Sequence, residues 1–268
     1  LVGGEARKSD ARPGAAWRDA SLAASASLAA LDETLRGLIA GHFTQAALME
    51  HASIAAFARF SLELLALGAP PELIAAATEA MADETRHARL CFELASRYAG
   101  SSVGPSALEI RGALDASDLA SVVERALLEG CVGETAAALE ARFAAEASTE
   151  PVVRGVLETI AADEERHAAL AFRFVAWALE RDPRLLAGVR ACIAALVHEE
   201  ANVEISTERE PFAPELTAHG VPSAAERRAA RTAALCDVMP AMLAALEHRV
   251  ESAVARVERQ STVVPSCA

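Results

Sequence analysis

The feature of this chain that most constrains its fold is a motif that returns after 80 residues. Asp83-Glu84-Thr85-Arg86-His87-Ala88 reappears as Asp163-Glu164-Glu165-Arg166-His167-Ala168. At the same offset Leu48 matches Leu128, Pro71 matches Pro151 and Phe92 matches Phe172. Two helix hairpins that copy one another would pack about a pseudo-twofold axis and bring matching positions face to face. Glu84 and His87 lie three residues apart and so project from one helix face, as do Glu164 and His167. A single Glu-x-x-His arises easily by chance. Two copies that share Asp, Glu, Arg, His and Ala at fixed positions do not.

Composition supports helices throughout. Of the 268 residues, 53% are hydrophobic and only 4% aromatic. Alanine and leucine, both strong helix formers, supply most of the apolar content, so the expected class is all-α. Periodicity and breakers place a first long helix over about residues 40–67, ended by Gly68 to Pro71, and a second reaching Tyr98. Residues 100–116 read as a long crossover, with Asp115 or Ser117 capping a third helix that runs to Ala147. Pro151 opens a fourth helix to Arg181, and Pro183 a fifth to Ala201. The organisation expected is a flexible tail at 1–16, a helical domain at 17–201, a loop at 202–222, a C-terminal helix at 223–260 bent at Pro240 and packed on the bundle, and a tail at 261–268.

A net charge of −13 argues against a nucleic-acid partner. No apolar run reaches the roughly 20 residues that span a bilayer, so no membrane role is expected. The 5 cysteines are odd in number and form no CxxC pair, which fits reduced thiols and a cytoplasmic location. The chain begins at Leu1, so removal of a leader stays open.

Paired Glu-x-x-His motifs on facing helices give half the ligands of a dinuclear metal site, and one glutamate from each remaining helix would complete it. Glu50 is the candidate on the first helix. It interrupts an inward stripe of Phe43, Ala47, Ile54, Phe57 and Ser61, where a carboxylate without a cation is costly to bury. On the third helix the repeat puts the counterpart of Glu50 at Gly130. Glu134 lies one turn beyond, in line with Val123, Leu127, Cys131 and Ala138, and is preferred. Glu129, about 100° away from position 130, is the alternative. Four carboxylates would balance two divalent ions. Carboxylates mixed with imidazoles suit iron or manganese. A duplicated structural helix without metal would leave acids and histidines converging in a core, which buried-charge costs disfavour.

These motifs resemble the DExRH signature of bacterial multicomponent monooxygenase hydroxylases and, more broadly, the ferritin-like di-iron carboxylate oxidases and oxygenases. The resemblance covers about residues 42–180. It implies a ferritin-like four-helix bundle with a long crossover and additional C-terminal helices. It makes Glu50, Glu84, His87, Glu134, Glu164 and His167 ligands of two iron ions, with a manganese–iron pair as the alternative. It makes Asp83 and Asp163 partners of the ligand histidines across the pseudo-twofold, with Arg86 and Arg166 paired to those acids. The implied activity is O2-dependent oxidation of a small organic substrate, with an electron donor if the chain is an oxygenase. A ferroxidase or iron store, assembled into a homodimer, is the rival, and a non-catalytic scaffold the third reading. The chain also departs from its relatives. Where the reductase family carries a radical tyrosine it has Cys91, and its only tyrosine, Tyr98, lies 11 residues past His87, about 16 Å along a helix. Other residues suggest less: His51 reads as a surface or interface residue, and His198-Glu199-Glu200 as a solvated helix end.

Overall fold

Asp32 starts the first long helix by accepting hydrogen bonds from the Thr34 and Leu35 N–H groups. Helix α1 then runs over Glu33–Leu67, until Gly68 takes the left-handed conformation at φ 68° that a Cβ would disfavour. Helix α2, Pro71–Ala99, and helix α5, Pro151–Arg181, each begin with proline in the first turn, so the two repeat copies start alike. In this computed structural model residues 7–23, 31–202 and 212–261 are described. The chain is predominantly helical, with one two-stranded pairing among the described residues.

Between α2 and α5 the chain forms α3 (Leu119–Arg125), a π-helical segment (Ala126–Glu134) and α4 (Thr135–Ala147), which run on from one another. α1 packs along α2, α4 and the π segment pack on α5, and α2 meets α5. Two apolar clusters result. One gathers Phe57, Leu73, Leu127, Leu170 and Phe174; the other gathers Ile39, Phe43, Phe92, Tyr98 and Ile160. Glu50, the two Glu-x-x-His pairs and Glu134 occupy the layer between them. A cavity of about 590 Å3 opens between α1 and α4, and one of about 520 Å3 between α1, the crossover and the π segment.

Beyond α5 come α6 (Leu186–Ala201), the short α7 (Ala213–Ala218), α8 (Ala224–Ala233), a π turn (Ala234–Val238) and α9 (Met239–Ser261). Ser223 and Glu226 form a reciprocal capping box that fixes the start of α8. The stretch Ala224–Ser252 contains a window of mean hydropathy 1.3, long and apolar enough to cross a membrane by length and composition alone. Its inner face nonetheless serves the core, with Ala230, Leu235, Met239, Met242 and Leu246 buried.

Several sequence expectations change here. The segment expected as a tail at 1–16 contains strand β1 (Ala11–Pro13), which pairs antiparallel with β2 (Val103–Pro105) inside the crossover. Arg18 anchors this strap through a two-pronged pair with Glu93, at 2.7 and 2.9 Å. Residues 1–6 lie outside the described residues, as do 24–30, 203–211 and 262–268. The expected loop at 202–222 contains α7. The third helix is capped by Asp118, which accepts from Ser121 N–H, rather than by Asp115 or Ser117. In the C-terminal helix a π turn precedes Pro240. Neither π segment was foreseen.

Gly130 allows the π segment its approach to α5. A Cβ built there would stand 2.5 Å from the Ala171 Cβ. Gly130→Ala should therefore cost about 1–3 kcal/mol in denaturant unfolding, and adding Ala171→Gly should recover part of it. An unchanged midpoint for Gly130→Ala would show that the helices separate freely.

Candidate metal centre

The inward faces of α2 and α5 bring their repeated acids and imidazoles to a common layer. Glu84 and His87 are 1% and 0% exposed, Glu164 and His167 2% and 3%. Glu50 reaches the layer from α1, and Glu134 from the C-terminal end of the π segment. His87 Nδ1 lies 3.4 Å from Glu164, 3.7 Å from Glu50 and 3.9 Å from Glu84. His167 Nδ1 lies 3.1 Å from both Glu84 and Glu164, and 3.9 Å from Glu134. These contacts define two groups, each with mutually close ligand atoms. One holds Glu50, Glu84, His87 and Glu164; the other holds Glu84, Glu134, Glu164 and His167. Either could hold a metal ion, and both use Glu84 and Glu164. The His87 and His167 ring centroids are 6.0 Å apart.

The chemistry of the donors fits a cation. Both oxygens of Glu84 and the Nδ1 of His87 are fully buried and receive no hydrogen bond. Unsatisfied buried atoms of this kind are uncommon and call for a partner. Burial, followed by the charges of Glu50, Glu164 and Glu134, pushes the Glu84 carboxyl well above its usual range. Burial and then Glu164 push Glu134 up in the same way. Burial would also raise Glu164, but its contacts with Glu134, His167 and His87 outweigh it and hold this carboxyl low. For His87 burial favours the neutral ring, yet its contacts with Glu164 and Glu50 raise it to about 10. Positive charge is thus favoured at this layer, whether a proton or a metal supplies it.

The aspartates of the motif act crosswise. His87 Nε2 lies 2.9 Å from Asp163, on the opposite copy, and His167 Nε2 lies 3.4 Å from Asp83. Each imidazole is held by its outer nitrogen, which leaves Nδ1 facing the acids. Arg86 reaches Asp83 at 2.8 Å and also pairs with Asp163. Arg166 mirrors it, reaching Asp83 at 2.8 Å and Asp163 at 2.6 Å. This outer ring of two arginines and two aspartates closes the layer on the side where α2 and α5 meet. Phe57 lies edge-on to His167, with centroids 5.0 Å apart.

Glu129, the alternative on the third helix, is engaged elsewhere. It pairs with Arg59 of α1, while Arg125 reaches Glu63 at 2.6 Å. Two Arg-x-x-x-Glu pairs, Arg59 with Glu63 and Arg125 with Glu129, thus interlock across facing helices. Sequence reading missed this network, although the matched four-residue spacing was its signal. His51 packs against Trp17 and bonds Ser9, so it serves the N-terminal strap. Glu200 is buried against Arg231 and Thr232, away from the acid layer. Cys91 is buried and lines the larger cavity beside Glu50. Tyr98 is buried with its hydroxyl 2.8 Å from His219 Nδ1.

No family model, curated protein or solved structure matches this chain.

The crosswise bonds predict that Asp163→Asn and Asp83→Asn each weaken manganese(II) binding by about 10–100-fold, as measured by calorimetric titration. Unchanged affinity in both variants would mean that these aspartates serve only their arginines.

Proposed function

We propose that this chain is a ferritin-like di-iron protein that uses O2 to oxidise a small organic molecule. In this reading α1, α2, the α3–α4 rod and α5 are the four helices of the bundle, and the crossover at 100–116 joins its two hairpins. The observation that carries the reading is the pair of donor groups that have Glu84 and Glu164 in common. Such a set suits two ions side by side, with Glu50 and His87 on one and Glu134 and His167 on the other. Carboxylate and imidazole donors suit iron, and manganese can replace it. Reduced iron at such a site supplies the electrons that activate O2.

The chain's own residues position and isolate that chemistry. Asp163 and Asp83 fix the tautomer and orientation of the two imidazoles. The apolar clusters on either side exclude bulk water and strengthen every charge interaction within the layer. Both cavities reach Glu50 and Glu164 and give an organic molecule access to the layer. In an oxygenation one oxygen atom enters a C–H or N–H bond of the substrate and the other leaves as water. An external donor supplies the two electrons and two protons this requires.

The rival is iron handling. A storage ferroxidase must release its iron after each turnover, whereas six protein donors and two orienting aspartates favour retention. The anaerobically iron-loaded protein should consume O2 and keep about two irons per chain after gel filtration. With excess ferrous iron it should build no ferric mineral. Accumulation of many irons per chain would establish the storage reading, and inertness toward O2 would leave only a scaffold.

A further inference from the structure

The cavity of about 520 Å3 has walls of one character and ends of another. Its walls are apolar, built from Met49, Ala52, Leu108, Ile110 and Leu128. Its inner end is the acid layer, at Glu50, Glu134 and Glu164. Its outer end is marked by Ile110, which is 63% exposed. There the N-terminal strap adds two cations, Arg7 and Lys8. Arg7 donates to the carbonyl of Arg111 at 2.6 Å, and Lys8 to the Gln45 side-chain oxygen at 3.3 Å. Both partners are neutral. Among the described residues no carboxylate pairs with either cation, in a chain whose net charge is −13. The remaining acids of the wall are held by arginines: Glu129 by Arg59, and Glu109 by Arg111 at 3.8 Å. The remaining cation, Arg231, is held by Glu200.

We propose that this cavity binds an amphipathic anion, with its apolar body along the wall toward Glu50 and its anionic head group between Arg7 and Lys8. Two cations with no acidic partner among the described residues favour an anionic group at the outer end. The apolar wall between the ends favours a hydrocarbon body, because polar atoms placed there would lose water without gaining hydrogen bonds. Arg7 and Lys8 hold the head group at the outer end, so the molecule has one orientation. That this anion is the molecule oxidised rests on the function proposed above; that it binds here does not.

Octanoate and octyl phosphate carry the proposed chemistry, 1-octanol is their neutral counterpart and octylamine their cationic one. Calorimetric titration of the manganese(II)-loaded chain should give at least one of the anions a Kd about tenfold below that of octanol, a difference one ion pair can supply. Octylamine should bind no better than octanol. Replacing Arg7 and Lys8 together by alanine should abolish the preference for anions while leaving octanol unaffected. Ala52→Trp, which fills the cavity, should weaken all of these ligands. Which anion binds tighter separates a carboxylate from a phosphate head group. Paramagnetic broadening by manganese should be strongest at the terminal methyl of the bound anion and weakest beside its head group. Stronger broadening beside the head group, equal binding of octanol, or an unaffected Arg7→Ala/Lys8→Ala variant would overturn the proposal. If the chain holds no manganese the metal reading fails on its own, and the calorimetric ranking in the metal-free protein still decides the anion site.

Discussion

The structure turns on four carboxylates that converge in an apolar interior. Burial and the neighbouring carboxylates push Glu84 and Glu134 well above the usual carboxylate range, while contacts with Glu134, His167 and His87 hold Glu164 low. The chain answers with two imidazoles inside the layer and two arginines behind it. The arginines do not touch the acids directly; they hold Asp83 and Asp163, which hold the imidazoles. Positive charge is thus relayed toward the centre through two shells of hydrogen bonds, while Glu84 and His87 Nδ1 receive none. An apolar bundle that sought stability alone would replace such a layer with leucine, since well-packed hydrophobic residues often equal or exceed buried ion pairs. Its presence, with two groups of donors that share Glu84 and Glu164, is what a cation would explain.

The parts of this arrangement that were legible in sequence are those set by local periodicity. The repeat gave Glu84, His87, Glu164 and His167 a shared helix face, because three-residue spacing on a helix does so whatever surrounds it. Glu50 stood out as one acid in an otherwise apolar stripe. Glu134 against Glu129 was harder, because the choice depends on helix phase. The π segment Ala126–Glu134 changes that phase: its wider turns bring Glu129 and Glu134, five residues apart, to the same cavity. The partner then decides their roles. Arg59 takes Glu129, and Glu134 is left to the acid layer. Nothing in the local sequence announces a π segment, although Gly130 within it permits close packing on α5.

What the sequence hid were long-range pairings. The strap at residues 7–23 looks polar and rich in turn formers, and read alone it resembles a tail. Its order comes from Arg18 with Glu93, Trp17 with His51, and a three-residue strand paired across the crossover. Each of these joins positions far apart in the chain. The strap carries Arg7 and Lys8 to the lining of a cavity that also includes Glu50, Glu134 and Glu164. The gap between α1 and α4 was equally invisible, since alanine-rich helices can pack closely or leave space, and their composition is the same in both cases.

A pair of metal ions in the acid layer would be located directly by anomalous scattering. Crystals loaded with iron or manganese should show two anomalous peaks, both flanked by Glu84 and Glu164, one beside Glu50 and His87 and the other beside Glu134 and His167. Crystals so treated with no peak in this layer, or with peaks only at surface carboxylates, would contradict the metal assignment.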